Sequence, residues 1–198
     1  MKHLFIDTNV YLSFYHFNND DINKLQALVK FADSNQLKLY VNKQLVDEFN
    51  RNREGRLKEA IARFNQEKPS PMPRIFDAYT KEKRELIKAR DAYKDKREQL
   101  LERYNLDLEN GSLAADKLVK GLFESSKIVD EPVYLRAAKR IELGNPPGKK
   151  GSIGDAIHWE FLIEVVPSGQ DLVIISEDKD WASLLDEKRI NPFLFDEW

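Results

Sequence analysis

The sequence predicts an α/β fold, a small parallel sheet carrying an inserted hairpin of α-helices. Two short apolar runs, HLFID near the start and DLVIIS near the end, each stop on a polar, acid-bearing turn. Strands of an open parallel sheet do this at their C-terminal edge, where ligands bind. Between them lie segments with helical spacing, giving the strand–helix–strand alternation that builds parallel sheets. The middle of the chain has a different composition. Residues 51–127 hold 19 Lys/Arg against 14 Asp/Glu, and the remainder holds 13 against 20.

Taken in order, Leu4–Ile6 reads as a buried strand, with Val10, Leu12 and Phe14 packed behind it. Asp20-Asp21 is placed to cap a helix over 22–34, with Leu25, Leu28, Val29 and Ala32 at helical spacing. Leu37–Val41 is a second strand. Asn42 is placed to cap a helix in which Leu45, Val46 and Phe49 form the buried stripe, and which Gly55 could bend. "PSPMP", residues 69–73, ends that helix, because proline cannot continue it. From Arg74 to Tyr104 runs a long charged helix with Ile75, Tyr79, Leu86, Ile87, Tyr93, Leu100, Leu101 and Tyr104 on one face. "NLDLENGS" breaks it, and shorter helices follow near 113–124 and 132–143, the second with Asp130 as cap. A Gly/Pro/Lys loop at 144–155 leads to "AIHWEFLIEVV", a buried helix. "DLVIIS", 171–176, is the clearest strand. "EDKDWASLLDE" reads as a turn and short helix, with Asp180 as the cap before Trp181. "PFLF", 192–195, reads as a final edge strand. The expected division is a core of residues 1–50 and 145–198 with residues 51–144 inserted.

Composition narrows the function classes. Of 198 residues, 41% are hydrophobic and 33% charged, and none is Cys. Disulfides and thiolate metal sites are excluded, and a reducing compartment is compatible. No apolar stretch reaches the roughly 20 residues that span a membrane. No signal-peptide pattern is visible, so the expected location is cytoplasmic.

The chemistry lies in the acids. Asp7 and Asp178 follow the two clearest strands, so a parallel sheet brings them together. Glu48 lies on the helix after the second strand, near its buried stripe. Asp155 opens the apolar helix behind Gly154, a glycine suited to a close approach. Each has a structural alternative: Asp7 and Asp155 as helix-terminal acids. Four ionised carboxylates sharing one pocket need compensating charge. Oxygen-only ligands suit Mg²⁺ or Mn²⁺ rather than zinc, and paired ions of this kind clamp the attacking and leaving oxygens of a phosphodiester.

"FIDTNVYL", "LVDEFNR", "GDAIHW" and "VIISEDKDW", in this order and these contexts, resemble the four acidic motifs of the PIN-domain nucleases. The resemblance covers about residues 1–50 and 145–198. It implies a PIN-like fold and a metal-dependent endoribonuclease with Asp7, Glu48, Asp155 and Asp178 as both metal ligands and catalytic acids. Thr8, Asn9 and Ser176 would be accessory, and Asp180 could replace or assist Asp178. It further implies a nucleic-acid partner, RNA rather than DNA, and allows a homodimer or a regulatory protein partner. The insertion of about ninety residues departs from compact PIN toxins and resembles a larger bacterial group.

Around the acids, Lys149 and Lys150 could neutralise a substrate phosphate, as could Arg51 and Arg53 beyond Glu48. Solvated loop and surface placement is the alternative. His158 suits packing or hydrogen bonding more than ligation. Tyr79, Tyr93 and Tyr104 suit either base stacking or packing within the hairpin. A phosphatase with an Asp nucleophile would want a second acid in the "DTN" turn, and a receiver domain would want paired acids there; neither is present. A silent scaffold or binding module retaining the fold stays open.

Overall fold

The computed structural model describes residues 2–15, 22–34, 36–66, 69–124, 131–149 and 151–198. The expected caps Asp20, Asp21 and Asp130, and Lys150, lie outside the described residues. The chain forms β1 (Lys2–Ile6), α1 (Thr8–Ser13), α2 (Ile22–Asp33), β2 (Leu37–Tyr40), α3 (Lys43–Gln66), α4 (Thr80–Glu109), α5 (Ala114–Phe123), α6 (Glu131–Leu143), α7 (Gly154–Val165), β3 (Leu172–Ile175) and α8 (Pro192–Glu197).

The three strands make one parallel sheet in the order β2-β1-β3. Leu4 of β1 lies opposite Leu39 of β2 and Val173 of β3. β1 is therefore central, and its inward residues Leu4, Phe5 and Ile6 are buried. The ladder extends one bond past the strands, from the Asp7 amide to the Ile175 carbonyl at 2.9 Å. That bond sets the end of β1 beside the end of β3.

Helix α7 is buried on every side from Ala156 to Leu162, so no polar/apolar periodicity marks it. Each fully buried large side chain here, such as Trp159 or Leu162, contributes about 1.5–3 kcal/mol of transfer free energy. Phe5 packs between His158 and Trp181, with ring centroids 5.3 and 5.8 Å away. This aromatic group lies beneath the strand ends. Val119, Leu122 and Phe123 of α5 and Val133 and Ala137 of α6 belong to the same buried cluster.

The long charged stretch divides differently from its sequence pattern. Arg74–Ala78 is a separate 3-10 turn, and α4 continues to Glu109. The helix stops at Gly111, whose φ of 61° lets the Ser112 and Gly111 amides return to the Asp107 and Leu108 carbonyls at 2.8 and 3.1 Å. Only glycine adopts that conformation without cost. Only part of the apolar face expected over 74–104 is covered. Ile87, Arg97, Leu101 and Tyr104 are half-buried, whereas Ile75, Tyr79, Leu86, Tyr93 and Leu100 are exposed. Arg97 joins the helices by donating to the Phe64 carbonyl and stacking on the Phe64 ring at 4.5 Å. Helix α3 runs through Gly55 without interruption.

Two expectations are corrected. "PFLF" is not an edge strand but the start of α8. Asn191 accepts from the Phe193 amide at 3.0 Å and Pro192 occupies the first helical turn, a cap-and-proline start that outweighs the short apolar run. After β3 the predicted short helix is a single 3-10 turn, Lys179–Trp181, and its cap is Asp178 rather than Asp180.

Helix α8 is locked down by a buried ionic network. Arg140 of α6 donates to Glu160 of α7 at 2.8 Å and to Glu197 of α8 at 3.0 Å, and Trp159 Nε1 donates to Glu197 at 2.8 Å. Arg140 and Glu160 are both buried. Replacing Arg140 by Ala leaves buried Glu160 with Arg136 alone among the described residues and removes the bond to Glu197, and a loss of about 1–3 kcal/mol in unfolding free energy is expected in a denaturant titration. The double variant Arg140→Met/Glu160→Leu should recover most of that loss.

Candidate metal centre

The site is assembled where the C-terminal ends of β1 and β3 meet the start of α7 and the first turns of α3. Asp7 caps a helix, the structural alternative named for it, and is also tied to the loop after β3. Its Oδ1 accepts from the Thr8 amide at 2.6 Å, capping α1, and its Oδ2 accepts from Ser176 Oγ at 2.5 Å. Ser176 Oγ in turn accepts from the Asp178 amide at 2.9 Å. Asp178 accepts from the Asp180 amide at 3.0 Å. Asn9 Oδ1 accepts from the Glu177 amide at 3.4 Å. The strand-end loop is thus tied to Asp7 by side chains that also orient its acids.

Glu48 is held from three sides. Thr8 Oγ1 and Gln44 Nε2 donate to it at 3.1 and 2.7 Å, and His158 Nε2 lies 3.3 Å from its Oε2. Asn42 Oδ1 already accepts from the Leu45 amide at 2.9 Å, so its amide nitrogen faces His158 Nδ1 at 3.0 Å. Nδ1 therefore accepts, Nε2 carries the proton, and the fully buried ring aims that proton at Glu48. His158 is thus a hydrogen-bonding residue. Asn42 works as the cap expected of it, and its second role had no signal in local sequence. Burial raises the Glu48 pKa, but the hydrogen bonds from His158, Gln44 and Thr8 outweigh it and hold the acid below its ordinary value.

Asp155 stands in the first turn of α7. Burial first, then the negative charges of Asp7, Asp178 and Glu48, push its pKa to about 7. Asp7 is also raised, chiefly by burial. Carboxylate oxygens of Asp155, Asp178 and Asp180 lie within 4.8 Å of one another. Asp180 Oδ2 is buried with no hydrogen-bond partner; Lys149 Nζ is 3.9 Å away. An orphaned carboxylate oxygen among like charges, in an all-oxygen donor set, fits a hard divalent cation such as Mg²⁺ or Mn²⁺.

A cavity of about 630 Å³ is lined by Asp7, Glu48, Asp155 and Asp178, and it continues along α3 past Arg51 and Gly55. Lys149 follows Gly148, whose φ is 104°, and is bridged to Ser152 by backbone hydrogen bonds. Arg53 does not join this lining. Its Nε donates to Asp116 at 2.7 Å, its guanidinium pairs with the other Asp116 oxygen, and Tyr15 donates to the same acid. It thereby joins α3 to α5. Arg56, three residues after Arg53, lines the cavity in its place.

A three-stranded parallel sheet with acids converging at its C-terminal edge defines an α/β domain with a candidate metal centre at its strand ends. A family model described as PIN domain matches residues 4–181. The chain belongs to the PIN domain family, whose members are usually nucleases. No curated protein and no solved structure matched the chain. No described helix is long and apolar enough to cross a membrane.

Two outcomes follow from the geometry. A Cβ on Gly154 would lie 2.0 Å from Glu48 Oε1. Because the obstructed atom ends a side chain, Gly154→Ala should keep a near wild-type Tm. It should weaken divalent-cation binding about 10–100-fold by calorimetry, the scale of a disturbed ligand-orienting contact. The second outcome concerns pH. Asp155 has a folded pKa of about 7 against an ordinary 3.8. The folded state therefore favours its protonated form, and that contribution is complete below about pH 4 and lost as pH rises through 7. Tm measured in EDTA should fall between about pH 5 and pH 8, and the Tm gain on adding Mg²⁺ or Mn²⁺ should grow over the same interval.

Proposed function

We propose that this chain is a Mg²⁺- or Mn²⁺-dependent endoribonuclease that hydrolyses phosphodiester bonds at the carboxylate cluster. The observation that carries the reading is the unpartnered buried Asp180 oxygen beside Asp178 and the raised Asp155. Such crowding costs stability, and a site for cations gives it a purpose.

Asp7, Glu48, Asp155 and Asp178 are the ligands in this reading, with Asp180 assisting. The bound ions would supply charge neutralisation, water activation and stabilisation of the leaving oxygen. The chain's own groups do the positioning. Ser176 and the Thr8 amide fix the Asp7 carboxylate, and Thr8, Gln44 and His158 fix Glu48. Lys149 and Arg51 meet substrate phosphates. Residues 1–50 and 145–198 act as the nuclease core, and the helical segment 51–144 shapes access to it. RNA as the substrate, a homodimer or a regulatory partner, and a cytoplasmic location accord with the family resemblance.

The test is cleavage of end-labelled single-stranded RNA, with DNA in parallel, in EDTA, Mg²⁺ or Mn²⁺. Cation-dependent internal cleavage of RNA is expected. Asp7→Asn and Asp155→Asn should each lower kcat by at least about 10²-fold, the scale of losing one charge-stabilising group at a reacting centre. Cleavage of DNA alone would replace the substrate. Binding of nucleic acid without cleavage would mark a silent binding module, and neither cleavage nor cation binding would overturn the reading.

A further inference from the structure

Helix α3 carries the carboxylate site into the charged middle of the chain. Glu48, Arg51, Asn52, Gly55, Arg56 and Glu59 line one continuous cavity with the acids. These positions recur at three- and four-residue intervals, so they form one face of the helix. Seven residues separate Glu48 from Gly55, a rise of about 10 Å.

Gly55 is anomalous on this face. It lies inside a 24-residue helix, where glycine is the least favourable residue except proline. Its backbone is continuous with the helix on both sides, so it is neither a cap nor a break. A Cβ at this position would meet nothing within 4 Å, so no packing contact in the fold requires its absence. The missing side chain leaves space in the cavity wall and nowhere else. Arg51 precedes Gly55 by one turn, is exposed, and makes no ion pair among the described residues. Arg56 follows it and reaches Glu59 at 3.3 Å. The cavity, about 630 Å³, is of small-ligand size. It suits a few unpaired nucleotides and not a double helix.

We propose that this face of α3 is the track for one single strand of nucleic acid leaving the carboxylate cluster, and that Gly55 is the point where the strand's backbone passes against the helix. The proposal rests on the nuclease reading above. Arg51 and Arg56 flank the passage and face phosphates away from the scissile one. The close approach is what the cavity would lose to any larger residue, so Gly55 determines binding of long substrates.

Stability and function should then move in opposite directions. Gly55→Ala should raise Tm by about 2–4 °C, because alanine favours the helix interior. The same change should raise KM for a labelled single-stranded oligonucleotide about fivefold, and Gly55→Leu about fiftyfold, with kcat and divalent-cation affinity unchanged. A dinucleotide, too short to reach Gly55 from the cluster, should show an unaltered KM in both variants. Unchanged oligonucleotide KM in both variants, with active wild type, overturns the track and leaves the nuclease reading intact. A rise for the dinucleotide as large as for the oligonucleotide overturns it as well. A wild-type protein that neither binds nor cleaves any strand removes the nuclease reading, and the track with it.

Discussion

Like-charged carboxylates repel, and the rest of this structure is organised around holding several of them together. Asp155, Asp178 and Asp180 lie within 4.8 Å of one another, and the charges of Asp7 and Glu48 also bear on Asp155. Each acid is fixed by an element with its own reason to be there. Asp7 is held by the β1–β3 ladder and by capping α1, Asp178 by its own turn, and Asp155 by the start of the most deeply buried helix. The sheet core and the apolar wall of α7 supply the free energy that keeps these positions close against their repulsion.

The contact between α3 and α7 is where this constraint is tightest. Gly154 has no side chain, and Glu48 occupies that space. His158, one turn further along α7, points its proton at the same carboxylate and is itself oriented by Asn42, the residue that starts α3. One asparagine therefore sets both the beginning of the helix that bears Glu48 and the tautomer of the histidine that steadies it. Two helices far apart in sequence are registered to each other through a single acid.

Much of this was legible in the sequence because it is local. Apolar runs ending on acids revealed β1 and β3, helical spacing revealed α2 and the first turns of α3, and an unbroken apolar stretch revealed α7. The four acids stood out because Asp7 and Asp178 follow strands, Asp155 opens a helix and Glu48 lies beside a buried stripe. What escaped depends on partners distant in the chain. Nothing near Arg53 announces Asp116, and nothing near His158 announces Asn42. "PFLF" looked like a strand because its apolar residues outweighed the Asn-Pro start. The burial of Leu194 and the grip of Arg140 and Trp159 on Glu197 settle it as a helix. The apolar residues of α4 misled for a different reason. Its contact with α3 is made partly through the guanidinium of Arg97, so hydrophobicity alone drew the covered face too wide and passed over that residue.

The distribution of cations separates structure from access. Arg53 is committed to Asp116, Arg97 to the end of α3, Arg136 to Glu160 and Glu164, and Arg140 to Glu160 and Glu197. These contacts bind the helices to one another. Around the acids the pattern reverses. Lys149 is mostly exposed at 3.9 Å from Asp180, and Arg51 extends over the cavity. Neither offsets five crowded carboxylates, so the local field stays negative. A polyanion could approach such a field only with cations between it and the acids. This asymmetry ties the family to the chemistry proposed for the site: the charge that the fold leaves uncompensated at the strand ends is negative, and divalent ions would neutralise both it and an approaching phosphodiester.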